Sequence, residues 1–502
     1  MGCTVNCQNQ QTELNMHSDF NPLQSFKASL SAGDPVQALR NSLIGEGMTL
    51  DGPFGSKEII YADYVASGRA LHLIEEFVMT KLLPYYANSH TEASFCGAYM
   101  TRLRGAARAE IARLCGATDG FSTVFAGSGA TAGINRIVGL LGVSEAVQKG
   151  GNPLILLGPY EHHSNILPWR ESGAQIIEID EDDVGGPCLS SLEQALINAG
   201  PDRLIIGAFS LASNVTGIVS DADAVTKMLK KYGALSVWDC AGGGPYLPLD
   251  MRAGTEFEKD AIVVSPHKFI GGPGASGVMI IRNAVVRRQQ PVMSGGGTVK
   301  FVSPWAHDYS DNIAVREEAG TPNVVGDIRA ALCFLVKEAI GQEIMDQRHA
   351  ELRNRALKVW QKNPNIEILG NLEARHCLPI FSMQIRDSNR GGFVHQQLFT
   401  RLLSDYSGIQ ARGGCACAGP YAHRLLGIDQ QHSDAIRAAI LSGAEFEKPG
   451  WTRLNLSVLL TNDKADRIID AVDALARNPY PMIDAYQCDD GTARFSPLQQ
   501  SA

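Results

Sequence analysis

The stretch DAIVVSPHKFIGGPGASGVMIIR (Asp260–Arg282) decides the fold. It opens on a short apolar run, DAIVVS, and closes on another, GVMIIR. Between them lie His267, Lys268 and a set of glycines. Short apolar runs bounded by Gly and Pro read as buried strands. A lysine just past the carboxyl end of a strand stands where ligands collect in open α/β sheets. Such a lysine can form a Schiff base, clamp an anion or join a surface salt bridge. The glycines permit a tight turn and a close backbone approach.

Outward from this stretch the pattern alternates. STVFAG, PLILLG, QIIEIDED, RLIIGAFS and LSVWD read as strands, and TAGINRIVGLLGV, SLEQALINAG and ADAVTKMLKKYG as helices. Apolar runs divided by amphipathic helices predict an α/β layer with a mostly parallel mixed sheet and helices on both faces. This large domain is expected over residues 56–300. A smaller α+β domain is expected over 301–478. Its helices are GDIRAALCFLVKEAIG, RHAELRNRALKVWQ, FVHQQLFTRLLSDYS and ADRIIDAVDALARN, and its strands CLPIFSMQI and LNLSVLL. Residues 1–55 read as a partly flexible N-terminal extension with a short helix over 35–47, and 479–502 as a polar tail outside the core.

The chain has 502 residues, 44% hydrophobic and 19% charged, which predicts a globular protein with more than one core. A formal net charge of -9 with no long Lys/Arg block argues against nucleic-acid or anionic-membrane partners. No apolar run reaches the length of a membrane-spanning helix, and the N-terminus shows no apolar signal core. Eleven scattered cysteines, an odd number, do not form a disulfide framework, so the expected location is the reducing cytoplasm.

Four further motifs surround Lys268. In VWDCAGG, Asp239 ends a strand, where a carboxylate can keep a pyridine nitrogen protonated or simply cap a turn. In FAGSGATAGIN, Gly129, Ala130 and Thr131 join a strand to a helix whose first N–H groups and Thr hydroxyl suit one phosphate. The spacing is neither a dinucleotide fingerprint nor a Walker loop. In GPYEHHSNILPW, His162 or His163 can stack on a planar cofactor and relay a proton, or serve as a core histidine. Adjacent histidines point apart, and no metal-ligand spacing accompanies them, so no metal is expected. In ARGGCACAGP, Cys415 and Cys417 supply at most two metal ligands and read either as buried thiols or as a reactive thiol on a loop. A phosphate cup, a stacking histidine, Asp239 and Lys268 together make a pyridoxal-phosphate pocket.

Joined in order, YADYVASG, GSGATAGIN, EHHSNILPW, SNVTG, WDCAGG, SPHKFIGGPGASG, EAGTPN and RGGCACAG resemble the class V aminotransferase-like family of fold-type I pyridoxal 5'-phosphate enzymes. The resemblance runs over about residues 58–475 and is nearest to the cysteine desulfurase and selenocysteine lyase branch. It implies that Lys268 is the Schiff-base lysine, that Asp239 faces the pyridine nitrogen and that His162 stacks on the ring. Thr131, Ser265 and His267 would bind phosphate. Asn214 would lie near the cofactor and the substrate carboxylate, and Arg453 would clamp that carboxylate, a task suited to a guanidinium fork. Thr321 would reach the phosphate held by a second copy, implying a homodimer.

Counted from Arg412, the family's nucleophile falls on Cys417, not Cys415. The C-A-C spacing is also similar to molybdenum-cofactor sulfurases, whose second cysteine carries the sulfur. Gly242 departs from the family glutamine that contacts the cofactor's ring oxygen. The implied reaction takes sulfur from L-cysteine, leaves alanine and loads a persulfide for an acceptor protein or thiol. The rivals are an aminotransferase or other amino-acid lyase that leaves Cys417 idle, and a non-enzymatic metal- or partner-binding module around the cysteine pair.

Overall fold

The computed structural model describes residues 21–498 apart from 32, 90, 91, 201, 202 and 484. The loose start expected over residues 1–20 and the end of the polar tail, residues 499–502, lie outside the described residues.

Seven strands form the main sheet, in the order Phe121–Gly127, Gly277–Arg282, Ala261–Val264, Leu235–Asp239, Ile205–Ser210, Leu154–Leu157 and Gln175–Glu178. Gly277–Arg282 runs antiparallel to both neighbours, and every other pairing is parallel. The sheet is therefore mixed but mostly parallel, as its apolar strands predict. Side chains alternate between two cores. Ile262, Val264, Val278 and Ile280 enter one, while Ala261, Val263, Met279 and Ile281 enter the other. Helices on both faces cover the sheet, among them Phe95–Leu114 on the first side and Gly129–Leu140 on the second. Parallel strands buried on both faces need that double cover.

A second sheet is antiparallel, with the path Ile366–Ile368, Ile380–Arg386, Trp451–Asn455 and Arg412–Gly414. Helices Gln396–Ser407 and Asn462–Arg477 and the far end of Gln342–Trp360 pack into its core.

Packing departs from the linear reading in four places. Helix Val324–Ile340, read with the second region, buries Ile328, Leu332 and Val336 in the first core. The N-terminal helices Pro22–Leu30 and Pro35–Asn41 seat Leu23, Phe26 and Leu39 there too, and Asp34 caps the second of them through the Val36 N–H. The tail is not outside the core: Ile483 and Tyr486 are buried in the second core, and Tyr486–Asp489 pairs with Arg494–Pro497. The strand read at LNLSVLL lies upstream, at Trp451–Asn455. It is enclosed by neighbours on both edges and buried throughout, so Thr452, Arg453 and Asn455 sit inside and the apolar run misplaced it.

Among the described residues no helix is long and apolar enough to cross a membrane.

Candidate active site

A cavity of about 220 Å³ opens at the carboxyl ends of the main-sheet strands and is closed on its far side by the second sheet. The sheet places its floor. Asp239 ends Leu235–Asp239, Ser210 ends Ile205–Ser210 beside it in register, and Ser265 follows Ala261–Val264. Lys268, His267, Ala130, Thr131, His162 and Asn214 line the same space. From the second domain Arg412, Cys417 and Arg453 reach in. Thr321 lies outside this cavity on an exposed segment.

The cup at the helix start depends on glycine. Gly129 has φ +63°, and a Cβ there would come within 2.8 Å of the His267 ring and 2.9 Å of Ser265 Oγ. Ser265 Oγ accepts the Ala130 N–H at 2.9 Å, tying the strand end to the helix Gly129–Leu140. Gly277 allows a closer approach still, since its Cβ would fall 2.5 Å from Gly129 Cα. Thr131 Oγ1 pairs with Ser164 Oγ at 2.7 Å, so one polar rim joins two loops.

Asp239 is 3% exposed. Burial raises its carboxyl above the ordinary aspartate value, with the Ala241 N–H at 2.8 Å and Lys268 pulling the other way. Burial lowers Lys268 below the usual lysine range, partly offset by Asp239. The Lys268 amine makes no hydrogen bond to a described residue. It is thus a half-buried amine that lines the cavity with no partner of its own among the described residues. His162 is lowered to about 4, first by burial and then by Lys268 and its other cationic neighbours. The Ser164 N–H donates to its Nδ1 at 3.1 Å, which puts the proton of the neutral ring on Nε2.

Arg453 is 3% exposed. Its Nη2 donates to Asp63 Oδ1 at 3.0 Å and its Nη1 to the Asn214 carbonyl at 3.1 Å, while its buried Nε has no partner among the described residues. Arg412 Nε donates to the other oxygen of Asp63 at 2.9 Å. Two guanidiniums share one carboxylate, and their spare donors suit an incoming carboxylate.

The two cysteines of C-A-C part company. Cys417 is exposed and lines the cavity. Cys415 packs against the apolar cluster of Tyr160, Val215, Tyr421 and Trp451. Ala416 (φ +53°) and Cys417 (φ +55°) are both left-handed, a conformation that costs each about 1–2 kcal/mol.

Three contributors escaped the sequence reading. Asp63 was visible only as part of YADYVASG. Ser210 ends a strand, as Asp239 does, but carries no charge to draw notice. Glu161 precedes the histidine pair and is 4% exposed. It accepts the Ser210 N–H at 2.7 Å and the Asn165 amide at 2.6 Å, and burial raises it to about 8 despite them. Gly242 lines the cavity, and a Cβ there would sit 2.8 Å from the Ala212 carbonyl.

The chain matches the family described as Aminotransferase class-V over residues 60–447. A "Probable cysteine desulfurase" of Pyrococcus abyssi is 27% identical over 380 residues, 74% of this chain and 88% of that protein. One of Vibrio cholerae is 28% identical over 366 residues, 72% of this chain and 85% of the other. Two solved structures share the fold. The apo cysteine desulfurase of Thermococcus onnurineus NA1 has a TM-score of 0.68 at 22% identity, over 84% of this chain and 95% of that one. The cysteine desulfurase CsdA of Escherichia coli has 0.67 at 22% identity, over 88% and 98%.

Proposed function

This chain belongs to the class V aminotransferase family, and we propose that it is a pyridoxal-phosphate-dependent cysteine desulfurase, taking sulfur from L-cysteine to leave L-alanine and a persulfide on Cys417. One observation carries the reading: Cys417 lines the same cavity as Lys268, Asp239 and Arg453, while its neighbour Cys415 is turned into an apolar cluster.

The residues present fit the cofactor. The unpartnered Lys268 amine would hold its aldehyde end, and the buried Asp239 would meet its ring nitrogen. The neutral His162 would stack on the ring, and the glycine-dependent cup of Gly129, Ala130 and Thr131, with Ser265 and His267, would take the phosphate. When bound, the cofactor supplies an electron sink for the substrate's Cα.

The chain's own groups do the rest. Arg453 and Arg412 bind the substrate carboxylate, with Asp63 holding both forks and Asn214 beside them. Lys268, favoured as a neutral amine by burial, accepts and holds the Cα proton. The Cys417 thiolate bonds to the substrate sulfur as the carbon–sulfur bond breaks, because a neutral thiol is a poor nucleophile. An acceptor protein or small thiol then takes the sulfur. Thr321, away from its own cavity, would serve the cavity of a second copy in a homodimer. Exposed Phe301, Val302 and Trp305 on the nearby hairpin suit such a contact.

The test is chemical. The purified protein should absorb near 420 nm, and Lys268→Ala should lose that band. With L-cysteine and a reductant, alanine and sulfide should appear in equal amounts. Cys417→Ala should abolish both products and Cys415→Ala should not. Full sulfide release from Cys417→Ala would refute the sulfur-relay role. Gly242 favours a second reading, since it removes a family contact to the cofactor: transfer of the amino group to a keto acid in the same assay would identify an aminotransferase.

A further inference from the structure

His163 does not line the cavity, yet it holds the loop that carries Cys417. Its backbone N–H donates to the Cys417 carbonyl at 2.8 Å. Its ring Nε2 accepts the Gly419 N–H at 2.9 Å. A backbone amide can only donate, so the ring must be neutral, with its proton on Nδ1. Burial, followed by the charge of Arg170, favours that neutral form. A third tie comes from Asn214, whose side-chain amide donates to the Ala416 carbonyl at 2.9 Å.

These ties have something to oppose. Ala416 and Cys417 are consecutive non-glycine residues in the left-handed region, which relaxes when nothing enforces it. Gly414, before them, has φ +122° and ends the strand Arg412–Gly414 opposite Trp451, so the turn begins where the sheet pairing stops. Beyond the loop, the Gly419 amide begins the helix Gly419–Leu425. His163 therefore ties the strained turn to the helix start that follows it, through its backbone N–H on Cys417 and its imidazole on Gly419.

We propose that His163 is a positioning residue: a neutral imidazole whose bond to Gly419, with the two ties on Cys417 and Ala416, latches the strained Cys417 loop against the cavity, and whose loss loosens the loop from it. A loop carrying sulfur from a buried substrate to an outside acceptor must occupy two positions, and of its three ties the imidazole bond to Gly419 is the one a side chain can tune at the helix start. The latch bears on catalysis only if Cys417 is the sulfur carrier, so this inference rests on the desulfurase reading. Its structural half stands apart from that reading.

The experiment uses the cofactor-loaded enzyme and the variants His163→Ala, His163→Phe and His163→Gln, the last because a glutamine Oε1 falls near the place of Nε2. In the wild type, hydrogen exchange should show the Gly419 amide protected. His163→Ala and His163→Phe should lose that protection by about tenfold or more, with exchange in the core strands unchanged. Their kcat for alanine release should fall about tenfold or more, with KM for L-cysteine held within about twofold, because misplacing a nucleophile costs turnover rather than binding. His163→Gln should recover most of both. The 420 nm band should persist in all three. An unprotected Gly419 amide in the wild type would overturn the proposal without reference to any variant. So would His163→Ala with unchanged loop exchange and unchanged kcat, or a Gln variant as impaired as Ala. Wild-type protein that releases no alanine would sink the desulfurase reading, while the exchange measurements would still decide the latch.

Discussion

At the scale of single residues, the site turns on atoms with no room to spare. Gly129 is held at φ +63° against the His267 ring and Ser265. Gly129→Ala should therefore weaken cofactor binding about tenfold or more, read by titrating pyridoxal phosphate against the 420 nm band, because a left-handed alanine alone costs about 1–2 kcal/mol. Gly242 is the harder lesson. Restoring the family glutamine looks conservative, but its Cβ would press on the Ala212 carbonyl. Gly242→Gln should destabilise the protein by about 1–3 kcal/mol in urea unfolding and lower turnover rather than raise it. Lys268 and Asp239 stood out in sequence as charges at strand ends, while Cys417 was told from Cys415 only by its count from Arg412 in the family resemblance; all three line the cavity. Asp63 was not, because its role is to bridge Arg412 and Arg453, which lie about 350 and 390 residues away in the chain.

Among elements, one carboxylate joins a helix to a strand. Glu318 accepts from Arg104 and Arg108 on helix Phe95–Leu114 and from the Phe125 N–H at 2.7 Å on the adjoining strand. Burial raises its carboxyl, but the Arg108 bonds and the two guanidinium charges win and hold it below the usual glutamate range. Glu318→Ala should cost about 3 kcal/mol near neutral pH, since it strips Arg108 of its carboxylate and leaves Arg104 with Asp327 alone. A depressed folded-state pKa means the stabilisation is present above the unfolded glutamate value and lost as pH falls through the folded one. The gap between wild type and variant should narrow in strong acid, which urea titrations at stepped pH would read. The strand Trp451–Asn455 shows why elements are misread. Period-2 alternation signals a strand with one wet face, and this strand has none.

For the whole molecule, the two cores meet along helix Gln342–Trp360, which gives Met345 to the first and Leu352 to the second. His349 sits between them, 4% exposed, edge-on to Tyr246, with neither ring nitrogen bonded. Burial lowers it to about 4. Unfolded, it titrates near 6.5, so the unfolded chain binds the extra proton and stability falls as pH drops from about 6.5 to 4, by about 3 kcal/mol for this group. His349→Phe should keep stability near pH 7.5 and lose less of it at pH 4.5 than the wild type does. Assembly belongs to this scale as well. Sedimentation at micromolar concentration should give a dimer, and Trp305→Asp should shift it toward monomer. A wild type that stays monomeric while fully active would remove the second copy from the proposed site.

The sequence by itself determined the α/β layering, the strand ends where chemistry collects, and, through its joined motifs, the class V aminotransferase family. Apolar periodicity and glycine placement are local, so they can be read locally. Tertiary structure alone decided that Asp63 bridges Arg412 and Arg453, that His163 holds the Cys417 loop, and that Val324–Ile340 serves the first core. Those outcomes depend on surfaces brought together from distant parts of the chain, and no local pattern records which face of a loop a folded neighbour will cover.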